Sequence, residues 1–218
     1  MTPLMTEWHT MFEGQPWRVA SDGVELRHIG TMRTPGEPLT IRALWRQYRA
    51  EIQQWAHRYG VSVELLLATI ATESIPINGI RDPKQVRLEP GFRSDDTTPH
   101  KVSVGLTHVL IETARRALGY HPLPRAWLQV PTNNLHAAAA IMRMDADRHG
   151  FDPIKVAACF NAGSLQDTSK NPWHLLVTGD HLDRFGRWFG DAVQVVRDSG
   201  GCARDHGWLL HAHVTGTL

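Results

Sequence analysis

An almost wholly apolar helix is the sequence feature that most constrains the fold of this chain. Residues 63–72 are apolar at nearly every position, broken only by Glu64 and two threonines. Ser62 can cap such a helix at its N-terminus, and Glu64 lies in the first turn, where acidic side chains are favoured. Because a helix that is apolar on nearly every face must be enclosed by protein, we predict a central, buried helix from Ser62 through Ser74.

Amphipathic helices surround this central segment in the predicted fold. Upstream, apolar residues recur at three- and four-residue spacing from Ile41 to Trp55, and Tyr59-Gly60 ends the pattern. Similar patterns further along the chain predict helices over residues 106–118, 131–149, 153–161 and 180–198. The fold class is therefore mainly α.

The remaining segments are not helical in pattern. The chain alternates around Asp22-Gly23, which is a hairpin turn signal, and a linker with two prolines follows at residues 35–38. Residues 75–104 form a long polar loop, and loops of this length are usually functional. The predicted organisation is a small N-terminal β-hairpin arm, a helical domain and a C-terminal tail, over residues 1–40, 41–200 and 201–218.

The charge balance argues against a nucleic-acid partner. Lys and Arg number 23 and Asp and Glu number 22, so no strong field attracts nucleic acid or anionic lipid. A helix-turn-helix around Gly60-Val61-Ser62 is an alternative interpretation. The helix that follows it offers leucines, Glu64 and Glu73, however, and not the basic and amide side chains that read bases.

Neither export, membrane insertion nor metal binding has a clear sequence signal. Residues 1–14 lack the pattern of a signal peptide, and no apolar run approaches the ~18–20 residues that cross a bilayer. The 13 His residues are scattered, and His211 and His213 lie in the predicted tail, so we expect no metal and no cofactor. Cys159 lies in an apolar run typical of a buried thiol, although a single bridge to Cys202 stays open.

Glu73 is the candidate catalytic residue because it ends the apolar helix and opens the polar loop. A carboxyl group at such a boundary is partly desolvated, which raises its pKa. A neutral carboxyl near pH 7 is what a general acid needs to protonate a glycosidic oxygen. The alternative is a solvated glutamate, and the pattern by itself favours neither.

Three segments resemble the soluble lytic transglycosylases and goose-type lysozymes, in that family's order. Residues 71–74 are similar to its Glu-Ser signature. Residues 103–109 resemble its Ser-x-Gly-Leu-Met-Gln segment, and residues 157–163 resemble Ala-Ala-Tyr-Asn-Ala-Gly. The resemblance implies a lysozyme-like helical fold, cleavage of peptidoglycan glycan strands and no cofactor. It implies that Glu73 is the acid and that the substrate-binding residues are Ser103, Gly105, Leu106, His108, Phe160 and Asn161.

The chain departs from the family at several of these positions. Thr107 and His108 replace the family Met and Gln, and Phe160 replaces the Tyr before Asn. His108 can still form hydrogen bonds to a sugar, whereas Phe160 can only stack on one. A further family Tyr, on the late helix, falls at Phe185 or Phe189. If that Tyr holds the catalytic Glu in the family, the contact is missing here or comes from elsewhere, and Tyr120 is a candidate to replace it.

The number of carboxylates separates two reactions. An inverting lysozyme needs a second carboxylate ~6.5–9.5 Å from the acid, whereas a lytic transglycosylase uses one Glu and forms a 1,6-anhydro product. The resemblance favours transglycosylation between N-acetylmuramic acid and N-acetylglucosamine. Hydrolysis stays open, because the loop offers further candidate carboxylates: Asp82, Glu89, Asp95 and Asp96.

A narrower likeness concerns residues 87–92 and 98–103, which resemble the variant of this domain in phage lysis or tail-associated proteins. We expect a monomer made in the cytoplasm, which reaches the cell wall after release by a holin or as a virion component. The non-enzymatic alternative is a wall-binding or virion protein that kept the fold and lost activity.

Overall fold

In the computed structural model, residues 7–74 and 82–199 are described, and they form seven α-helices and two small antiparallel sheets. The strands are β1 Trp17–Ala20, β2 Gly23–Leu26, β3 Gly30–Thr31, β4 Val86–Leu88, β5 Val102–Val104 and β6 Val109–Leu110. The helices are α1 Leu39–Tyr59, α2 Val63–Glu73, α3 Ile111–Leu118, α4 Arg125–Leu128, α5 Pro131–His149, α6 Pro153–Ala162 and α7 His181–Asp198. A short 3-10 helix, Pro99–Lys101, precedes β5. The mainly α, lysozyme-like class predicted from the sequence is confirmed.

The central position of α2 is also confirmed. Every residue from Val63 through Thr72 is buried, and α2 packs most extensively against α7 and then against α1. The Ser62 hydroxyl accepts a hydrogen bond from the Leu65 backbone N–H at 3.1 Å, as expected of an N-cap. Thr69 and Thr72 donate their hydroxyls to backbone carbonyls one turn earlier, which is why a helix with these polar groups can be enclosed.

The N-terminal segment forms the predicted hairpin and adds a third strand. Strands β1 and β2 pair in register from Trp17–Leu26 to Ala20–Gly23, and β3 pairs with β2. This sheet packs directly on α7 at very short range: a β-carbon on Gly190 would lie 2.1 Å from the Met32 backbone oxygen. Its side chains belong to the same core as the helices.

The segment predicted as one long loop contains a second sheet. Strands β4, β5 and β6 pair in that order, with Arg87 opposite Ser103 and Ser103 opposite Leu110. The helix predicted from residue 106 is therefore wrong at its start and begins at Ile111. Gly105 and His108 have φ values of 81° and 45°, which no α-helix contains.

The other described helices follow the sequence pattern closely, but the four-residue α4 and the 3-10 helix Pro99–Lys101 were not predicted. Among residues 7–74 and 82–199, no helix has the length and hydropathy that crossing a bilayer requires. Cys159 is buried. Cys202, His211, His213 and the rest of the predicted tail lie outside the described residues, as do residues 75–81.

Candidate active site

Glu73 lies at the C-terminal end of α2, where the helix meets a cleft of about 220 Å³. One wall of the cleft comes from the second sheet and the turn after it, and the other comes from the end of α6 and the segment before α7. The residues that line it are Glu73, Arg87, Glu89, His100, Ser103, His108, Val109, Leu110, Thr113, Ile141, Phe160, Asn161 and Thr178. The carboxyl group is thus enclosed but still reaches the cleft.

Burial controls the protonation of Glu73. The side chain is 15% exposed, and desolvation raises the pKa of the carboxyl from 4.5 to about 7. Arg184, Arg87 and a hydrogen bond from Asn161 oppose this shift, because each stabilises the carboxylate. At neutral pH the group therefore exists in both protonation states, as expected of a residue that gives and then takes a proton.

Asn161 and His181 hold the carboxyl from the side of α6 and α7. The Asn161 side-chain oxygen accepts a hydrogen bond from the Thr178 backbone N–H at 2.8 Å, which leaves its N–H groups to donate. His181 Nδ1 lies 3.3 Å from Asn161 Nδ2 and 3.8 Å from Glu73 Oε1. The sequence identified Asn161 but not His181, since a histidine at a helix start belongs to none of the matched motifs.

Two of the four residues predicted in the second segment line the cleft. Ser103, on β5, and His108, in the turn after it, both face the cleft. His108 Nε2 lies 2.9 Å from the Gln85 side-chain oxygen, and burial lowers the pKa of the imidazole. Leu106 is 0% exposed, so its side chain belongs to the core. Gly105 is also a packing position: a β-carbon there would lie 2.3 Å from Asn134 Nδ2.

Asn134, on α5, fixes this turn and was not singled out from the sequence. It is fully buried, and its side-chain oxygen accepts from the Thr107 backbone N–H at 3.0 Å and from the Thr107 hydroxyl at 2.8 Å. Its amide group donates to the backbone carbonyls of Val104 and Leu128 at 2.8 and 3.2 Å. Thr107, which departs from the family pattern, therefore belongs to a network in which the Asn134 amide makes four hydrogen bonds.

The aromatic positions fall into two groups. Phe160 lines the cleft beside Asn161, where its ring can stack on a sugar. Phe185 and Phe189 are buried and stack on each other with ring centroids 5.9 Å apart, so neither reaches the cleft. Tyr120 is 48% exposed and packs edge-on against Trp127, so it is not a cleft residue either.

Arginines pair with three of the candidate second carboxylates. Glu89 lines the cleft, and Arg87 Nε lies 2.9 Å from its Oε1. Asp95 pairs with Arg125 at 2.5 Å and Asp96 pairs with Arg115 at 3.1 Å, and neither aspartate lines the cleft. The fourth candidate, Asp82, accepts a hydrogen bond from the Lys84 backbone N–H on the exposed start of the loop.

A comparison with known protein families gives a match that covers most of this cleft. A family model described as Transglycosylase SLT domain matches residues 50–172, more than half of the chain. The chain belongs to the SLT transglycosylase family. No curated protein sequence matches it at a significant level.

Members of the SLT family are lytic transglycosylases, and this chain is therefore an enzyme that cleaves glycosidic bonds of peptidoglycan. The matched range includes α2 and the second sheet, and it extends through α5 and α6. All the cleft residues except Thr178 lie within it. Within the described parts of the chain, no three His, Cys, Asp or Glu side chains are grouped as ligands for a metal ion.

Proposed function

We propose that this SLT enzyme cleaves the β-1,4 bond between N-acetylmuramic acid and N-acetylglucosamine by transglycosylation, with Glu73 as its single catalytic carboxyl group. The observation that carries the proposal is the contrast between Glu73 and Glu89 in one cleft. Burial raises the pKa of Glu73 to about 7, whereas Glu89 is paired with Arg87. The Arg87 guanidinium occupies an oxygen of Glu89 that would otherwise be open to a water molecule.

In the first step, Glu73 donates its proton to the glycosidic oxygen as the bond from that oxygen to the muramyl C1 breaks. The carboxylate that remains is stabilised by the Asn161 N–H and by Arg184. In the second step, the muramyl 6-hydroxyl oxygen bonds to C1 and its proton returns to Glu73. The enzyme is restored, and the products are a 1,6-anhydromuramyl end and a free N-acetylglucosamine 4-hydroxyl.

The other cleft residues suit the binding of a glycan strand. Phe160 offers a ring face for a sugar, and Ser103 and His108 offer hydrogen bonds from the opposite wall. Arg87 lies near enough to act on the charge of Glu73 and faces the same cleft, where it can meet the carboxylates of muramyl peptides. Gly105 and Leu106 support this wall through packing.

The experiment compares wild type, Glu73→Gln and the matched Glu89→Gln in digestion of purified cell walls. We expect Glu73→Gln to lose about 10³-fold or more in rate, as removal of a general acid does, and Glu89→Gln to keep most of its activity. Mass spectrometry of wild-type products should show anhydro ends. Reducing ends together with an inactive Glu89→Gln would instead establish an inverting lysozyme, and inactive wild type would favour a wall-binding protein.

We also propose that the enzyme acts as a monomer in a phage or prophage context, as an endolysin or virion component, without a nucleic-acid partner. The support is the likeness of residues 87–92 and 98–103 to the phage variant, and these residues include most of β4 and most of β5. Expression with and without a phage holin tests the role. Lysis only in the presence of the holin would support an endolysin, and lysis without it would contradict holin release.

A further inference from the structure

His181 begins α7 and its side chain is almost completely enclosed, with 4% of its surface exposed. A ring N–H donates a hydrogen bond to the backbone carbonyl of Ala157 on α6. The other ring nitrogen, Nδ1, faces the Asn161 amide nitrogen at 3.3 Å and the Glu73 carboxyl at 3.8 Å. The imidazole therefore spans the space between a helix backbone and the catalytic carboxyl.

These contacts define the form of the ring. Because the Asn161 amide nitrogen can only donate, Nδ1 must accept, and the proton of the neutral ring is on Nε2. Burial, and then the positive charge of Arg184, lower the pKa of His181 to about 4, against a smaller opposing effect of Asp180. The ring is therefore uncharged at neutral pH, and its contact with Glu73 is not an ion pair.

We infer that His181 is a positioning residue for the acid: its neutral ring accepts a hydrogen bond from the Asn161 amide and so holds that amide with its second N–H toward Glu73. This inference rests on the proposed role of Glu73 as the acid.

The contact acts on the acid through Asn161. The Asn161 side-chain oxygen accepts from the Thr178 backbone N–H and one amide N–H donates to His181, so the other N–H is directed to Glu73, where it favours the carboxylate. The charged groups that face this cluster are Arg184 and Asp180 on α7, Arg87 on β4, and Glu89, which is paired with Arg87. The two arginines favour the carboxylate, as this Asn161 N–H does, and burial opposes all three.

Two substitutions of His181 separate positioning from packing. In His181→Asn, the side-chain oxygen can occupy the place of Nδ1 and accept, while the donor to Ala157 is lost. In His181→Gln, the terminal amide can reach the Ala157 carbonyl, while the acceptor beside the Asn161 amide is lost. Because Asn leaves a larger cavity than Gln at this buried position, a merely structural role would disturb His181→Asn more, which is the opposite of the order that positioning predicts. Thermal unfolding checks that each one folds.

The measurement is the pH profile of kcat/KM, combined with a 13C NMR titration of the Glu73 carboxyl, whose signal is identified by its absence in Glu73→Gln. We expect His181→Gln to move the alkaline limb and the carboxyl titration to higher pH by about half a unit or more, because the carboxylate loses its aligned Asn161 donor, and His181→Asn to stay closer to wild type. Equal shifts in both variants, or a shift in neither, would overturn the inference.

The two readouts also distinguish this inference from the proposed function. The NMR titration does not require turnover, so it reports on the His181 contact even in a protein that cleaves nothing. A titration that shifts as expected in an enzyme whose Glu73→Gln variant remains fully active would overturn Glu73 as the acid and still support the contact. A titration that does not shift, in an enzyme that needs Glu73, would overturn only the role of His181.

Discussion

The indole N–H of Trp17 donates to both carboxylate oxygens of Asp152, at 3.2 and 3.0 Å, in the buried junction between β1 and α6. Asp152 is also the N-cap of α6 and accepts from the Ile154 backbone N–H at 2.9 Å. The N-terminal sheet is thereby bonded to the helix whose other end carries Phe160 and Asn161. The arm predicted as an addition to the catalytic domain takes part in holding one wall of the cleft.

We expect Trp17→Phe to destabilise the protein by about 1–3 kcal/mol, because it leaves the buried Asp152 carboxyl without its indole donor. Urea unfolding at pH 7 measures the change. Trp188→Phe, which alters a half-buried indole on α7, is the control and should cost less. Equal effects of the two substitutions would show that loss of ring volume, and not the Asp152 hydrogen bond, determines the stability change.

Removing Asn134 should destabilise both the fold and the cleft wall that carries His108. Asn134→Ala loses four hydrogen bonds to the turn and to α4, so we expect a cost of about 2–4 kcal/mol and a large loss of activity. Asn133→Ala removes one part-buried bond, to the Trp127 carbonyl, and is the matched control. A folded, active Asn134→Ala enzyme would contradict the assignment.

Arg87 should contribute more to substrate binding than to bond cleavage. We expect Arg87→Gln to raise KM several-fold for glycan strands that carry peptide stems and much less for strands from which an amidase has removed the stems. The alkaline limb of activity should also move to higher pH, since Arg87 lowers the pKa of Glu73. Arg93→Gln, in the exposed loop, serves as the control. Identical KM changes for both substrates would argue against peptide recognition.

The buried Glu64 should make stability depend on pH. Burial raises the pKa of Glu64 from 4.5 to about 7, and one of its oxygens has no hydrogen-bond partner within the described structure. Between these two pH values the folded state keeps a proton that the unfolded chain has lost, so stability falls as pH rises through this range and then levels off.

Glu64→Gln should remove this pH dependence. We expect the variant to gain stability relative to wild type as pH rises from 4.5 to 7, by on the order of 3 kcal/mol at most, and to gain nothing below pH 4.5. Melting temperatures from pH 4 to pH 8 measure the difference. Glu112→Gln, at an exposed position, should show no such trend, and a pH-independent gain in Glu64→Gln would contradict the explanation.

Local sequence signals predicted the main elements of the fold and the position of Glu73 at the end of the buried helix. The cap, the apolar run and its abrupt end at Glu73 are contiguous, so they specify α2 without reference to the rest of the chain. The hairpin turn at Asp22-Gly23 is local in the same sense. Short strands were missed because three residues are too few to show alternation, and the apolar spacing from Leu106 suggests a helix that the positive φ at His108 prevents.

The parts of the site that sequence reasoning missed depend on tertiary contacts. His181 carries no pattern of its own, and only the packing of α7 against α2 and α6 brings its ring to Glu73. Asn134 stands in an alanine-rich helix, where one amide looks like a surface residue. The family resemblance of residues 103–109 implied that Leu106 binds substrate with its neighbours, yet its side chain points into the core.

The close approach of Gly190 to the Met32 backbone has a consequence for recombination between related genes. A crossover in the linker at residues 35–38 would combine this sheet with a foreign α7, and any side chain larger than hydrogen at position 190 would force the two apart. The sheet therefore fits only an α7 that has glycine at this position. A hybrid enzyme that takes the sheet and α7 from the same parent would preserve this fit.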